Sequence, residues 1–385
     1  MIIFARIINY NLEIMRTTTA YINKQNLIYN INRIKHLAPD SAIMAIVKAN
    51  AYGHGLLGIS QILRANGIQF LGVAFANEGV ILRHSGDTQP IIVLIPAFPD
   101  EAQYFCRYNL QAAISSEEFI VALSNEAVQR GVVVKTHLHI DTGMKRDGID
   151  ADKAVDFMNK FGKLPNINMI GLSTHFATSP TNIDFAKKQL QIFSNTLKSL
   201  NEAGHSFKYV HAANSGAIAN VPDSQFNLIR PGLVLYGYSP SAEIREILNV
   251  KPVLSLKSQV VVTRRIKAGD SVSYDRLFVA KKDTNIATVP IGYGDGYFKT
   301  LTGRSQCLIR GKRYNIVGAI CMDELMVECG DDEIRPGDEV VLIGQQGNEE
   351  ILADEIAGWA GTIPYEITTS ISARVSRVYV EPNND

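Results

Sequence analysis

Short apolar runs alternate with amphipathic segments from about residue 18 to residue 240. The runs have the length of buried strands, and the segments between them carry apolar residues at helical spacing. The predicted strands are Ile43–Val47, Phe70–Phe75, Ile91–Ile95, Gln111–Ile114, Val132–Ile140, Met169–His175, Tyr209–Ala212 and Leu233–Tyr236. The predicted helices are Lys24–His36, Gly55–Asn66, Asn77–Ser85, Glu117–Arg130, Asp152–Phe161 and Asn182–Ala203. Eight strands separated by helices favour a closed (β/α)8 barrel of the TIM type. An open doubly wound sheet is the alternative, but no strand leads into a Gly-rich dinucleotide fingerprint.

After about residue 245 the pattern changes to short β-type runs separated by the turn signals GD, GDG, RGK and RPGDEV. The runs are Lys251–Arg265, Thr284–Tyr293, Gln306–Val317, Met322–Val327 and Glu339–Ile343. A last helical stretch, Leu352–Gly361, carries the single tryptophan of the chain. We therefore predict two domains, a barrel over residues 16–245 and a mostly β domain over residues 246–385. Residues 1–15 form a leading segment that either joins the β domain as a strand or reflects an over-extended start codon.

Composition excludes several classes of function. The 38 basic and 38 acidic side chains give a formal net charge of zero, so there is no electrostatic case for nucleic acid or an anionic membrane as partner. No apolar run approaches the length of a membrane span. The four cysteines lack the CxxC spacing of zinc sites, and their scatter is typical of a reduced cytoplasmic protein. We expect a soluble cytoplasmic enzyme with a small-molecule substrate.

One lysine closes the first predicted strand. Lys48 lies between Val47 and Ala49 in the run AIVKANAYGHG of residues 45–55. A half-buried ammonium group loses its proton easily, because desolvation disfavours the charged form. A neutral amine can attack a carbonyl and form a Schiff base. Lys48 therefore predicts chemistry with the aldehyde of pyridoxal 5'-phosphate (PLP).

Other polar residues gather near the ends of later predicted strands, where barrel enzymes carry their catalytic groups. They are His139, Asp141 and Arg146 after the fifth strand, His175 after the sixth, His211, Asn214 and Ser215 after the seventh, and Arg230, Pro231 and Gly232 just before the eighth. Each has an ordinary explanation on its own. A buried histidine is more often a core residue than a catalyst, and two histidines at i and i+2 are a weak zinc signal, so no metal is expected. Together they predict one site at one end of the barrel.

A phosphate group needs hydrogen-bond donors. The hydroxyls of Tyr52 and Ser215 are candidates, together with the backbone amides around Gly216 and Gly232–Leu233, where glycine allows close approach. Each of the NSG and RPG sequences is, alone, more typical of a tight turn than of a phosphate site.

From about Arg16 to about Val380 the chain resembles the bacterial alanine racemases, which are PLP enzymes of fold type III. VKANAYGHG resembles the lysine signature of that family. The further matches follow in the order and spacing of the family: HIDTGMKRDG, HFATS, HAANSGA, RPGLVLYG, SVSYDRLF, PIGYGDGY, GAICMDELMV and TIPYEITTSISARV. The resemblance implies a racemase that interconverts L-alanine and D-alanine with two bases. It also implies a head-to-tail homodimer with active sites shared between subunits, which supplies D-alanine for peptidoglycan.

The resemblance also implies roles for single residues. Lys48 would hold PLP and act as one base, and Tyr274 of the partner subunit would be the other. Arg230 would face the pyridine nitrogen, with His175 close to the ring. The remaining cofactor-binding residues would be Tyr52, Asn214, Ser215, Gly232, Leu233 and Tyr365. The substrate carboxylate would be bound by Arg146 and the Met322 amide, and the entrance would be lined by Tyr293 and Tyr365.

One position departs from the family pattern. Many members carry a carbamylated lysine where this chain has His139, and its negative charge positions the arginine that corresponds to Arg146. Here either a bound anion such as chloride supplies the charge, or Asp141 does, or Arg146 is held less firmly.

Three other functions remain open from the sequence. One is a racemase of the same fold that acts on serine or a broader range of amino acids. The second is a fold-type III decarboxylase, with which the CMD motif at residues 321–323 is superficially compatible, although VSYD and the arginine at 230 favour a racemase. The third is a non-catalytic PLP carrier, against which residues 245–385 argue because such a carrier is a single barrel.

Overall fold

The computed structural model describes residues 16–381, so the predicted leading segment 1–15 lies outside the described residues. The described residues divide into two compact units, one of residues 23–253 and one in which residues 16–22 join residues 254–380. Residues 19–22 belong with the second unit because they pair antiparallel with residues 254–257. The domain limits of 16–245 and 246–385 drawn from the sequence stay a prediction.

The unit of residues 23–253 is built on a nearly closed parallel barrel. Its eight strands are Ala42–Ile46, Phe70–Val73, Ile91–Val93, Gln111–Ile114, Val134–Asp141, Ile167–Thr174, Tyr209–His211 and Leu228–Ile229. They pair in chain order, and the eighth returns to pair with the first. A bridge between Asn214 and Arg230 links the segments that follow the seventh and eighth strands. The predicted (β/α)8 barrel is confirmed. A short added strand, Ile149–Asp150, pairs with the end of the fifth.

All six helices predicted for this unit are present, each to within two residues of the predicted ends. The helices are Lys24–Leu37, Lys48–Tyr52, Leu56–Ala65, Ala76–His84, Ala102–Arg107, Glu117–Arg130, Ala154–Phe161, Ile183–Glu202, Ser215–Asn220 and Arg245–Leu248. Local signals fix several of these ends. Ser116 accepts a hydrogen bond from the Phe119 N–H at the start of Glu117–Arg130, and Gly131 ends that helix in the left-handed region with φ 65°.

The prediction of the eighth strand is wrong. Leu233–Tyr236 forms a 3₁₀ turn, and the strand is Leu228–Ile229. The LVLY run is apolar because all four side chains are buried, and a buried run of this length does not distinguish strand from turn. Pro231 has no N–H for a sheet ladder, so it ends the strand instead of leading into one. Arg230 consequently follows the carboxyl end of the last barrel strand. The sequence had predicted that Arg230 precedes this strand.

The second unit carries a ten-stranded sheet. Its strands are Thr19–Asn23, Leu254–Gln259, Val262–Ile266, Thr284–Val289, Gln306–Ile309, Lys312–Val317, Leu325–Gly330, Glu339–Gln346, Glu349–Ile351 and Ser376–Val380. Outside it are a hairpin of Ser271–Val272 with Phe278–Val279 and the helices Ala353–Ala360 and Pro364–Ser370. The mostly β character predicted for this region is confirmed. The predicted run Lys251–Arg265 divides into two strands that occupy different places in the sheet.

Helices long and apolar enough to cross a membrane do not occur within residues 16–381.

Candidate active site

Lys48 follows the first barrel strand and precedes an unusual stretch of backbone. The four residues Ala49–Tyr52 all have φ between 52° and 56°, in the left-handed region. That region costs a residue other than glycine about 1–2 kcal/mol. The stretch is held by a bond from the Ala51 N–H to the Val47 carbonyl at 2.8 Å and by the Glu78 carboxylate, which accepts from the Ala49 N–H at 2.7 Å. Strain of this kind persists where the surroundings enforce it, and it marks functional sites.

The surroundings of Lys48 favour its neutral form. The pKa of Lys48 is lowered, first by burial and then by the positive charge of Arg146, while Glu78 acts in the opposite direction. The lysine side chain is therefore closer to a free amine than an exposed lysine is. This is the direction that the sequence predicted for a nucleophilic amine.

Arg230 is a buried guanidinium group that is only 6% exposed. None of the ion pairs among residues 16–381 includes it. Its Nη1 donates to His211 Nδ1 at 2.8 Å and to the His211 carbonyl at 2.7 Å. Its Nη2 donates to the carbonyls of Thr174 and Ala212 at 2.6 and 3.0 Å and lies 3.5 Å from His175 Nδ1. Burial lowers the pKa of Arg230 to about 10, and burial together with this guanidinium holds the pKa of His175 well below its ordinary value.

A chain of buried hydrogen bonds leads away from Arg230. His211 Nε2 lies 2.9 Å from His137 Nδ1, and His137 Nε2 lies 3.0 Å from Gln111 Oε1. A guanidinium can only donate, so His211 Nδ1 accepts, and the hydrogen-bond network then assigns both rings the Nε2–H tautomer. Burial lowers the pKa of His137 to about 3 and that of His211 well below its ordinary value, so both rings are neutral. Gly171 makes room for the His137 ring in this series of hydrogen bonds, since a Cβ there would lie 1.9 Å from His137 Nδ1.

Two hydroxyl groups and a glycine backbone lie together beside the barrel end. Ser215 Oγ accepts hydrogen bonds from the N–H groups of Gly232 at 3.0 Å and Val234 at 3.5 Å. A Cβ at Gly232 would lie 2.5 Å from Tyr52 Oη, so only glycine fits against this tyrosine. The ring of Tyr52 stacks on Tyr236, with centroids 4.9 Å apart, which fixes the direction of its hydroxyl.

Backbone amides next to these hydroxyls are available to a ligand. The N–H groups of Gly216 and Leu233 find no backbone acceptor within residues 16–381. Asn214 caps the short helix Ser215–Asn220, because its Oδ1 accepts from the Ala217 N–H at 3.1 Å. Free amides, hydroxyls and a glycine that leaves space are the features of a phosphate cradle.

The three explanations left open for His139 are reduced to two, because Asp141 is already engaged. Its carboxylate accepts from the N–H groups of Gly143 at 2.8 Å and Lys145 at 3.1 Å, and it pairs with the Lys145 ammonium at 3.1 Å. It forms no ion pair with Arg146 among the described residues.

Three predicted site residues of the second unit, Tyr293, Met322 and Tyr365, lie on segments that are hydrogen-bonded to one another within that unit. The Tyr293 N–H donates to the Cys321 carbonyl at 3.0 Å, and the Gly294 N–H donates to the Met322 carbonyl at 2.9 Å. Ser372, just after the helix Pro364–Ser370 that carries Tyr365, donates to the Gly294 carbonyl at 3.0 Å. Burial raises the pKa of Tyr365.

Tyr274 lies on a strained turn and is 70% exposed. Its neighbours Ser273, Asp275 and Arg276 have φ of 67°, 60° and 53°. Ser273 anchors the turn by donating to the Ala319 carbonyl at 2.7 Å. A strained backbone therefore holds a large aromatic side chain in solvent at this turn.

Four residues of the barrel site were missed by sequence reasoning: Glu78, Gln111, His137 and Asp147. Some signal was present for the first three. Gln111 begins an otherwise apolar strand, His137 lies at i−2 from His139, and Glu78 stands three residues after Phe75, at the spacing of a helix cap. Asp147 had no signal, since an aspartate before glycine in a loop is ordinary.

Comparison with known proteins assigns both parts of the chain to one protein family. Family models match it over residues 22–240 (alanine racemase, N-terminal domain) and residues 253–379 (alanine racemase, C-terminal domain). The alanine racemase of Carboxydothermus hydrogenoformans is 40% identical over 369 residues, which is 95% of this chain and 100% of that relative.

Solved structures agree. The alanine racemase of Bacillus anthracis with bound L-Ala-P has a TM-score of 0.90 and 36% identity, with 96% of both chains covered. A histidine racemase from Leuconostoc mesenteroides subsp. sake has a TM-score of 0.86 and 28% identity, with 97% of this chain and 100% of that chain covered. Fold and comparisons define an amino-acid racemase with a barrel and a β domain. The chain belongs to the alanine racemase family, so the resemblance seen in the sequence is confirmed.

The buried histidines make stability sensitive to acid. The pKa of His137 is about 3 and that of His139 about 4, against about 6.5 in an unfolded chain. Below about pH 6.5 the unfolded state binds protons that the folded state does not, so stability is complete above that pH and falls as the pH drops toward 4. The expected loss of unfolding free energy is up to about 1.4 kcal/mol per pH unit for each such histidine.

Urea unfolding between about pH 7.5 and pH 5.5 measures this loss. His137→Gln reduces the slope, whereas His36→Gln, at an exposed histidine, leaves it unchanged. A flat profile would contradict this account.

Proposed function

We propose that this protein interconverts L-alanine and D-alanine by a two-base mechanism with pyridoxal 5'-phosphate as its cofactor. It acts as a homodimer with shared active sites, and in the cytoplasm it supplies D-alanine for peptidoglycan. The observation that carries the proposal is Lys48, a lysine of lowered pKa at the end of the first barrel strand, in the same unit as a phosphate cradle. Membership of the alanine racemase family supports it.

The barrel offers a partner for each reactive part of PLP. The amine of Lys48 suits the aldehyde. The hydroxyls of Tyr52 and Ser215, with the backbone at Gly232, suit the phosphate, and a Cβ at Gly232 would fill this cradle. Arg230 suits the pyridine nitrogen. When bound, PLP supplies the electron sink for the negative charge that develops at the α-carbon of the amino acid.

Arg230 is an unusual partner for a pyridine nitrogen. With a pKa of about 10 the guanidinium keeps its proton at neutral pH, so it donates a hydrogen bond and does not transfer the proton to the ring. An aspartate or glutamate at this place would keep the nitrogen protonated. We therefore expect a weaker electron sink and fewer side reactions such as transamination. His175, 3.5 Å from Arg230, is the proposed neighbour of the ring.

Racemisation removes a proton from one face of the α-carbon and returns one to the other face. Two bases on opposite faces are the simplest arrangement. Lys48 is one, and Tyr274 of the partner subunit is the other, since its exposed phenol is available to a second copy of the chain. Arg146 and the Met322 amide bind the substrate carboxylate.

The rest of the site is proposed to limit what enters it. Asn214 and Leu233 complete the cofactor site on the barrel side. Of the residues of the second unit, Tyr365 also binds the cofactor, and Tyr293 and Tyr365 line the entrance. Crowding of the α-carbon by Tyr274, Met322 and Tyr365 leaves room for a methyl group. A small apolar pocket rejects an added hydroxyl only modestly, so serine is a weak second substrate. The histidine racemase among the similar structures makes a broader specificity the alternative to test.

A panel of amino acids tests the reaction. The PLP-loaded protein is incubated with L-alanine, L-serine, L-histidine or L-lysine in deuterium oxide, and α-deuteration and the ratio of enantiomers are measured. We expect alanine to racemise fastest, serine at least about ten-fold more slowly, and histidine no faster than with Lys48→Ala. Faster turnover of serine or histidine would favour the alternative racemase, and release of carbon dioxide would indicate a decarboxylase.

Chemical trapping tests the cofactor site. After PLP is added, borohydride reduction should leave a pyridoxyl group on the peptide that contains Lys48, because that amine is the one with a lowered pKa beside the cradle. Mass spectrometry of the digested protein locates the label. Lys48→Ala should abolish it, and Lys188→Ala, at an exposed helix lysine, should not. A label at another lysine, or none, would remove the basis of the proposal.

Mixed dimers test the shared site. Lys48→Ala and Tyr274→Phe protomers should each be nearly inactive, but an equal mixture that exchanges subunits forms one intact site in each mixed dimer. Activity should recover to about a quarter of the wild-type value, since half of the dimers are mixed and each has one of two sites. As a control, Lys48→Ala mixed with the Lys48→Ala, Tyr274→Phe double variant recovers nothing. Absence of recovery in the first mixture would assign both bases to one subunit.

A further inference from the structure

A carboxylate occupies the space between His139 and Arg146. The side chain of Asp147 is only 8% exposed. Its Oδ1 lies 3.2 Å from Arg146 Nε and 3.8 Å from His139 Nε2. Arg146 has no other ion-pair partner among residues 16–381. One carboxylate oxygen of Asp147 therefore faces both His139, which stands where many family members have the carbamylated lysine, and Arg146, the arginine that this lysine positions in them.

The position of Asp147 is fixed by the chain around it. The residues that follow, Ile149–Asp150, add a strand to the end of the fifth barrel strand by pairing with residues 140 and 141. Gly148, with φ 108°, lies flat against the same strand, where a Cβ would be 2.7 Å from the Asp141 nitrogen and 3.2 Å from His139 Cδ2. Only glycine fits there, and its close approach holds the preceding aspartate next to the imidazole.

The ring of His139 turns its Nε2 toward this carboxylate. Burial lowers the pKa of His139 to about 4, although Asp147 acts in the opposite direction, so the ring is neutral near pH 7. Ser173 Oγ lies 2.9 Å from His139 Nδ1. The same hydroxyl lies 3.3 Å from the Leu138 carbonyl. The other ring nitrogen, Nε2, faces Asp147.

The other acidic side chains of this loop are directed elsewhere. Asp141 holds the loop amides and Lys145, as described above. Asp150 pairs with Lys153 at 2.9 Å and with Lys145 at 3.6 Å. Asp147 alone, among the three aspartates of residues 141–150, contacts Arg146.

We propose that Asp147 is a positioning residue that supplies, from within the chain, the negative charge which a carbamylated lysine supplies in many members of the family. His139 holds Asp147, and Asp147 holds Arg146 for the substrate carboxylate. The inference rests on the proposed function, in which Arg146 binds that carboxylate. It follows that this protein needs neither carbon dioxide nor chloride to order Arg146.

Asp147→Asn tests the proposal, because it keeps the shape of the side chain and removes its charge. In the PLP-loaded enzyme we expect the KM for L-alanine to rise about five- to ten-fold, with a smaller change in kcat, since an arginine that binds substrate and transition state alike affects mainly KM. Chloride, at constant ionic strength, should partly restore the KM of this variant and leave the wild type unchanged. Asp150→Asn is the matched control and should behave as the wild type does.

The protein without PLP gives an independent reading. Melting temperature is measured in chloride and in gluconate salts at equal ionic strength. Chloride should raise the melting temperature of Asp147→Asn, because the anion binds beside Arg146 in place of the carboxylate, and should have no such effect on the wild type or Asp150→Asn. A wild type that responds to chloride in either assay, or an Asp147→Asn variant with unchanged KM, would overturn the proposal. If the wild type has no racemase activity, the proposed function fails, and the melting experiment still decides whether Asp147 neutralises Arg146.

A constructive variant reverses the replacement. His139→Lys combined with Asp147→Asn provides a lysine that can be carbamylated and removes the aspartate. Added bicarbonate should lower the KM of the double variant and have no effect on Asp147→Asn alone. Equal responses of the two variants would show that the charge at this position does not act through residue 139.

Discussion

The barrel site is organised around a buried guanidinium group that has no carboxylate beside it. Removing such a charge from water costs several kcal/mol unless hydrogen bonds replace the lost hydration. The carboxyl ends of two barrel strands supply those bonds as three carbonyl groups, which need no extra side chains: Thr174, His211 and Ala212. A closed parallel barrel directs these carbonyls toward one place, so the charge of Arg230 depends on the closure of the sheet.

That constraint extends into the barrel. Because Arg230 can only donate, the tautomer of His211 is set, and through it that of His137, down to the amide oxygen of Gln111. This series of hydrogen bonds, from Arg230 to Gln111, contains no group that is charged at neutral pH apart from Arg230. The positive charge is therefore stabilised by aligned dipoles and not neutralised. Gly171 belongs to the same arrangement, since any side chain there would displace the His137 ring.

The site is also electropositive, and its positive charges affect the pKa values of neighbouring side chains. Burial lowers the pKa values of Lys48 and His175, and the positive charge of Arg146 lowers both further, joined at His175 by that of Arg230. An amine with a lowered pKa and a set of unengaged amides both suit an anionic carbonyl compound. Glu78 and Asp147 limit the positive charge locally, one at the backbone after Lys48 and the other at Arg146. The balance of these charges, more than any single residue, sets the chemistry available at the barrel end.

The sequence alone determined the alternation of strands and helices, the change to a β domain, and the family. These are local properties: apolar spacing reports burial and period, and VKANAYGHG reports a motif contiguous in the chain. Tertiary structure decided the rest. The LVLY run after Arg230 had the apolar pattern of a strand, and only closure of the barrel showed that Leu228–Ile229 completes it and that Arg230 follows its carboxyl end. Gln111 and His137, which lie 26 residues apart, and His137 and His211, 74 apart, become partners only when neighbouring strands set them side by side. Asp147 looked like an ordinary loop residue until the added strand at 149–150 placed it against His139, because contact between residues depends on register and packing that no short stretch of chain encodes.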